Sequence, residues 1–584
     1  MGAWSSEAAR GNSVKLKAWK RGRWMAVTLL LVCSAGCPNS PSPPPPAPTP
    51  PSRPVQFVDQ AAAWNVAFQY ENGEQAGLYS ILETLGGGVG LFDYDRDGRT
   101  DIWCVGGGSF TRIPKTPTGL ASGFFRNRGP QFENITTFSG IAAPNHYQHG
   151  VAAADYDQDG FVDALVTGYG GLQLWHNLGD GTFEDVTTLS GLNADTQWSS
   201  SAAWGDFDQD GHLDLYVAHY VNWSPENDPP CFTHGDLREV CSPLVFDAVS
   251  DMLFQSDGAG DFIDQSTEVG LAVGGKGMSA LVADLDLDGD VDVYVGNDTT
   301  PKFLYANTHG QLRERGLISG VSLSKLGAAE GSMGTDLGDF DLDGLPDLWV
   351  ANFEDETFGL YKNLGGLQFE HVSHETGLDR IGQAYVGWGV VFGDWNLDGD
   401  EDVFVSNGHV VRHAHKAPVK QLPVLMENLA GKQFDNVAEV SGAYFRIAHP
   451  GRGAAAGDLD LDGDLDLVVS HVNQPIAVLE NQGPSVSRSI TVELTGTKSP
   501  RWSIGAIVRL ITTQSTQIRQ WRGGGSFAST SDPRLLFGIP PGQFPVRLEI
   551  SWPSGLRETI PLETWTHRIQ IVEGDQHPPG WLME

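Results

Sequence analysis

Basic residues are scarce in this chain: 37 Lys and Arg stand against 73 Asp and Glu, for a formal net charge of −36. Such an excess repels a phosphate backbone and an anionic lipid surface alike, so nucleic acid is excluded as a partner class. Cysteine is scarce too, with five in 584 residues. None is spaced Cys-x-x-Cys, which argues against a zinc or redox site built on thiolates. Cys33 and Cys37 lie near the N-terminus, Cys104 stands alone, and Cys231 and Cys241 bracket a short loop that a disulfide would close in an oxidising compartment. The apolar stretch from Trp24 to Cys33 is too short to cross a bilayer as a helix. What the chain does have, 72 Gly, 17 Trp and 40% hydrophobic residues, suits a turn-rich β protein with a packed core.

Residues 15–23 are basic and precede the apolar stretch, the order of a secretory signal. Ser34-Ala35-Gly36-Cys37 then resembles a bacterial lipobox, with Ser34 where such motifs carry Leu, so residues 1–36 read as a lipoprotein-like signal and Cys37 as the lipidated residue. Ordinary signal cleavage near Gly36 is the alternative. Both readings export the protein, to the cell envelope or beyond it, with membrane contact only through the lipid. Residues 37–55 are proline-rich, favour an extended polyproline II stalk and cannot build a core.

One pattern, Asp-x-Asp-x-Asp-Gly-x-x-Asp, recurs seven times. Its carboxylates are Asp93, Asp95, Asp97 and Asp101, then Asp155, Asp157, Asp159 and Asp163, then Asp206, Asp208, Asp210 and Asp214. They continue as Asp284, Asp286, Asp288 and Asp292, then Asp339, Asp341, Asp343 and Asp347. The last two sets are Asp394, Asn396, Asp398 and Asp402, and Asp458, Asp460, Asp462 and Asp466. Oxygens at loop positions 1, 3 and 5 converge on a hard cation, the position-7 carbonyl adds one more, position 9 closes the shell, and Gly at position 6 allows the sharp reversal. Crowded carboxylates of this number call for a cation, and the oxygen-rich shell favours calcium, about one ion per repeat. An EF-hand is excluded, because position 12 is apolar or Cys104 where the bidentate glutamate would stand. β-branched and aromatic residues such as Val293-Tyr294-Val295 follow the loops and predict strands.

The repeats are spaced at a blade-sized period. Turn signals follow the loops at Asn127, Asn177, Asn307, Asn363, Asn428 and Asn481, with Ser256-Asp257-Gly258 in the remaining unit. Strands expected to open the next unit begin at Phe57, Phe132, Phe183, Phe262, Leu312, Phe369 and Phe434. About four short strands per unit predict an all-β, seven-bladed β-propeller over residues 56–484, with the blade completed by both chain ends left open. The sevenfold loop resembles the FG-GAP/VCBS repeat family, which includes the integrin-α propeller, and that resemblance implies calcium on one face of the ring. The long third unit, with its Cys231–Cys241 insertion, is expected to project as a contact loop.

Residues 485–577 lose the loops and alternate instead, as in Ile490-Thr-Val-Glu-Leu494, predicting a small β domain before a tail at 578–584. Gly496-Thr-Lys-Ser, Arg522 through Leu535, and Trp552-Pro553-Ser554-Gly555 resemble the ASPIC/UnbV module. Propeller plus this module is similar to the cartilage acidic protein family and its bacterial relatives, which implies an extracellular calcium-binding protein without established enzymatic activity. His409, His413 and His415 lack an evident fourth ligand for a transition metal. Gly523-Gly524-Gly525-Ser526 lacks the lysine of a phosphate loop and reads as a bulged turn, with Arg522 and Asp532 pairing across it. No catalytic constellation stands out. The expected function is an exported binding or adhesion module for a protein or glycan ligand, with a lectin-like propeller, or an enzyme on polysaccharide or phosphate ester, as alternatives.

Overall fold

A computed structural model describes residues 55–575 apart from 142–143, 145, 234–235, 415, 484–487 and 563–565. The expected signal, Cys37, the proline-rich residues before Val55, His415 and the expected tail lie outside the described residues.

Each Asp-rich loop joins two antiparallel strands, because the chain reverses at its glycine and leaves through a β-branched or aromatic run. In the first unit Val89–Phe92 pairs with Asp101–Cys104, which pairs with Gly123–Asn127 and then Phe132–Asn134. The pattern recurs to give seven sheets of this type, one per loop. Their innermost strands are Val89–Phe92, Tyr147–Ala154, Ser199–Gly205, Gly277–Ala283, Thr335–Gly338, Gly387–Gly393 and Gly451–Gly457, buried along their whole length. Each packs on the next, and Gly451–Gly457 packs on Val89–Phe92, so the ring closes. Aromatic rings fill the wedges between sheets, as where Trp103, Phe124 and Phe183 meet at centroid distances of 5.0–5.7 Å.

The phenylalanine strands do not open new sheets. Each is the outermost strand of the sheet whose loop precedes it, because the short Asn turn makes a hairpin and only the longer connection that follows crosses to the next sheet. Phe57–Asp59 accordingly has no sheet of its own and pairs with Ala477–Asn481, so the two ends of the repeat region share one sheet.

The turn asparagines do more than turn the chain. The Asn363 amide donates to Pro346 O of its own loop at 2.9 Å and to Leu285 O of the preceding sheet's loop at 2.8 Å. Asn177 reaches Tyr94 O, Asn307 reaches Phe207 O, Asn428 reaches Phe340 O, Asn481 reaches Trp395 O, and Asn127 reaches Leu459 O across the closure. Ser256, which has no amide to offer, holds the seventh position.

The Cys231–Cys241 insertion does not project as expected. The two cysteines are disulfide-bonded with Cα atoms 5.2 Å apart, and Trp223, Val240, Cys241 and Phe246 are buried against the ring. Glu239 accepts backbone N–H groups from Arg412 and His413 two strands' connections away. Burying those apolar groups outweighs exposing the loop.

After the ring come two packed sheets. In one, Arg488–Thr495 lies between Leu535–Ile539 and, in parallel, Arg568–Val572. In the other, Ile507–Thr512 lies between Thr516–Gln520 and Pro545–Ser551, with Arg557–Pro561 at the edge. Ile490, Val508, Phe537, Leu548 and Trp552 fill the space between.

From this module the segment Arg522–Arg534 enters the axis of the ring. It corrects the bulged-turn expectation: Gly523–Gly524 is a short strand on Leu281 and Val282. Further along, Val151 N donates to Ala528 O at 3.1 Å, Leu91 N to Thr530 O at 2.9 Å, Thr335 N to Ser526 O at 3.0 Å, and Asp532 N to Ala456 O at 2.9 Å. Phe527 meets Trp388 edge-on at 4.7 Å. The segment thus touches all seven inner strands, whose axial edges would otherwise leave backbone groups unpaired. Only a glycine fits where it passes Trp204, since a Cβ on Gly523 would lie 1.9 Å from the Trp204 carbonyl. Arg522 and Asp532 do not pair. Arg522 Nε holds Asp336 of the ring at 2.9 Å, and Asp532 takes Arg534, because the segment runs down the axis and carries the two residues to different sheets.

Asn363→Ala removes two buried hydrogen bonds and leaves both carbonyls unpaired, so it is expected to cost about 2–3 kcal/mol in urea unfolding. A change below about 0.5 kcal/mol would show that the amide does not join neighbouring sheets.

Candidate functional site

Every loop is built alike. The position-1 carboxylate accepts the N–H of the position-6 glycine, as Asp93 does from Gly98 at 2.8 Å and Asp339 from Gly344 at 2.9 Å. The position-9 aspartate spans two strands: Asp347 accepts N–H groups from Phe340 at 3.1 Å and Asn363 at 2.7 Å. Position 4 was not singled out by the sequence, yet all seven residues there have positive φ, between 56° and 65°, and four are leucines: Leu287, Leu342, Leu397 and Leu461. A β-carbon at such φ costs of order 1 kcal/mol per residue, a strain that must be compensated within the loop.

In four loops the structure brings three of the four predicted carboxylates within reach of one another. One carboxylate oxygen from each of Asp93, Asp95 and Asp101 lies within 4.8 Å of the others, as do those of Asp155, Asp157 and Asp163, of Asp206, Asp208 and Asp210, and of Asp284, Asp286 and Asp288. Buried oxygens of Asp95, Asp155, Asp286, Asp341 and Asp458 have no hydrogen-bond partner. Orphaned, converging, all-oxygen donors fit a hard divalent cation. Burial, with repulsion from the neighbouring carboxylates, raises Asp155 to about 8 and Asp458 to about 7. Burial likewise raises Asp284 to about 7 and Asp214 to about 8.

The loops differ in what faces them from the third strand of each sheet, one residue before the turn asparagine or its serine counterpart. Arg126 there pairs with Asp95 and Asp97, and Lys362 with Asp341 and Asp343. His176 lies 3.2 Å from Asp163. Gln255 donates to Asp208, and Ala306 offers nothing. Glu427 and Glu480 instead add negative charge against Asp398 and Asp460.

The C-terminal module docks on this face of the ring, while six of the seven position-5 carboxylates, all but Asp398, stay exposed. Arg534 and Arg568 donate to Gly98 O at 3.0 and 2.9 Å, Gln520 donates to Asp284 O at 3.2 Å, and Ser489 donates to Gly463 O. Arg519 Nε lies 3.2 Å from Glu401, and Arg501 Nε 3.4 Å from Asp155. The opposite face carries the disulfide-bonded insertion, the segment before Val89 and the connections at 408–423 and 472–476. There a cavity of about 340 Å³ lies between Asn72, Glu83, Arg412, Arg452 and Asn473. His409 lines this cavity, whereas His413 donates its backbone N–H to Glu239.

Residues 93–166, 155–217, 284–350 and 339–405 match the FG-GAP-like repeat, and residues 496–578 match the ASPIC and UnbV domain. The chain is an FG-GAP-repeat protein with a C-terminal ASPIC and UnbV domain. It is similar to cartilage acidic protein 1 of Xenopus tropicalis, 24% identical over 493 residues that cover 70% of this chain and 71% of that protein. Human cartilage acidic protein 1 is 23% identical over 492 residues, covering 70% of each chain. Among solved structures, an Agrocybe aegerita lectin that recognises non-reducing terminal N-acetylglucosamine superposes with a TM-score of 0.38 and 15% identity over 64% of this chain and 94% of its own. The V. cholerae biofilm matrix protein Bap1 superposes with a TM-score of 0.34 and 13% identity, over 74% of this chain and 92% of its own. Superpositions this loose carry no argument about ligands.

In chelator, the raised carboxylates hold protons in the folded chain that the unfolded chain, with pKa near 3.9, has already released. Stability is therefore expected to fall as pH rises from about 4, the unfolded value, to about 8, the highest of the raised values, and the slope to flatten in millimolar calcium. Thermal melts at matched ionic strength check this; a melting temperature that rises with pH in chelator contradicts it.

Proposed function

We propose that this FG-GAP-repeat protein is an exported binding module whose ligand surface is the face of the ring opposite the ASPIC and UnbV domain. The observation that carries this reading is that the C-terminal module docks on the loop face and leaves the other face open, where the insertion, the cavity and exposed Phe232 and Leu244 lie. The signal-like leader and the extracellular character implied by the cartilage acidic protein relatives support export. A lipid on Cys37 would tether the ring through its proline-rich stalk. Binding is favoured over catalysis because the titratable groups crowd into the loops, where their backbone hydrogen bonds serve the fold. A lectin-like ligand remains the second reading, favoured by the cavity's mixed amide and charged lining.

Calcium belongs in this reading as a structural ion. Bound at positions 1, 3 and 5 with the position-7 carbonyl, it supplies the positive charge that lets buried carboxylates ionise together. The loops should not be equal. Arg126 and Lys362 already neutralise the first and fifth, whereas Asp464 and Glu480 enrich the last. Elemental analysis after dialysis against micromolar calcium is expected to find fewer than seven ions per chain, and Arg126→Gln and Lys362→Gln to add about one each. No retained calcium would sink the assignment.

The ligand face is tested by glycan-array and pull-down binding with Leu244→Arg on the insertion and Phe544→Arg on the C-terminal module, both exposed positions. Loss of capture is expected only with the first. The opposite result would move the binding surface to the C-terminal module.

A further inference from the structure

The cavity on the face opposite the C-terminal module has one buried charged group without a countercharge among the described residues. Arg452 begins near the axial mouth on the inner strand Gly451–Gly457 and is 3% exposed. Its guanidinium lies over the Trp388 ring at 4.3 Å, and Nη1 donates to Gly451 O at 2.7 Å and Gly408 O at 3.3 Å. Nε has no partner, and no carboxylate pairs with this guanidinium among the described residues. Burial, reinforced by nearby Arg412, lowers its pKa to about 9, so it remains cationic at neutral pH.

The carboxylates around it are taken. Glu83 accepts Ser80 N at 3.1 Å and Arg412 Nη2 at 2.6 Å, and Glu74 binds the other end of Arg412. Glu239 accepts three backbone N–H groups, from Val240, Arg412 and His413. His409, also 3% exposed, accepts Val411 N at Nδ1, which puts its proton on Nε2. That Nε2 faces the Glu354 carboxylate at 3.3 Å. One buried guanidinium with an unpartnered Nε therefore lines a cavity of about 340 Å³ with the amides of Asn72, Asn473 and Gln474 at its walls. A buried cation left unpaired is costly, and guanidinium forks match planar and tetrahedral oxyanions.

We propose that this cavity binds an oxyanion, a carboxylate or sulfate group carried by the ligand, with Arg452 as its charged anchor and Asn72, Asn473 and Gln474 as polar walls. The inference rests on the reading of this face as the binding surface and names the chemistry it takes. The protein's net charge of −36 makes such a site local, since the molecule as a whole repels anions.

Isothermal titration of the full-length protein with sodium sulfate, sodium glucuronate and uncharged glucose tests it. Saturable binding is expected for at least one oxyanion and none for glucose, and the preferred probe separates a tetrahedral from a planar group. Arg452→Met, which keeps the packing on Trp388, is expected to abolish the signal. Gln474→Glu adds a charge at the half-buried rim without touching the arginine, and is expected to weaken binding by roughly tenfold with an unchanged melting temperature. Absence of saturation with either oxyanion at tens of millimolar, equal binding of glucose, or undiminished binding in both variants overturns the proposal. If partner capture on this face persists while the oxyanion arm fails, the inference falls and the proposed binding surface stands.

Discussion

The rest of the structure depends on seven clusters of carboxylates on the face where the C-terminal domain docks. Each cluster sits at the end of an inner strand, where the position-1 and position-9 aspartates tie the loop to its own sheet through backbone N–H groups. The same turn region carries the asparagine that reaches the neighbouring sheet. Loop, sheet and ring are thus joined at the same few residues, and a change in loop charge is felt in the contacts between sheets. The ASPIC and UnbV domain closes the arrangement by docking on that face and filling the axis.

On the proposed reading, this arrangement separates two jobs that a single ring would otherwise mix. The carboxylate loops lie on the face where the C-terminal domain docks, and the opposite face is left to the long connections, the disulfide-bonded insertion and the cavity lined by Arg452. The axial segment links the two faces. It enters from the loop side beside Asp532 and Arg534 and reaches Trp388, whose ring supports Arg452.

Much of this was legible in the sequence because it repeats locally. The loops, their β-strand followers and the hairpin asparagines recur with fixed spacing, and seven copies outweigh the ambiguity of one. Contacts between distant segments were not legible. Asn363 reads as a turn residue, and its reach to Leu285 O exists only once two sheets stand side by side. The glycines at 523–525 read as a flexible turn because nothing local shows the inner strands whose carbonyls a side chain would strike. Arg126 and Lys362 lie on later strands and meet their loops only after the sheet forms. The insertion was expected to project because its length was visible and the burial of Trp223 and Phe246 was not.

Hydrogen exchange read by mass spectrometry over residues 522–534, with calcium and with chelator, tests the coupling between loops and C-terminal domain most directly. The account predicts slow exchange in calcium and a faster rate in chelator that appears together with faster exchange in the seven loops. Loops that lose protection while the axial segment keeps its own would contradict it.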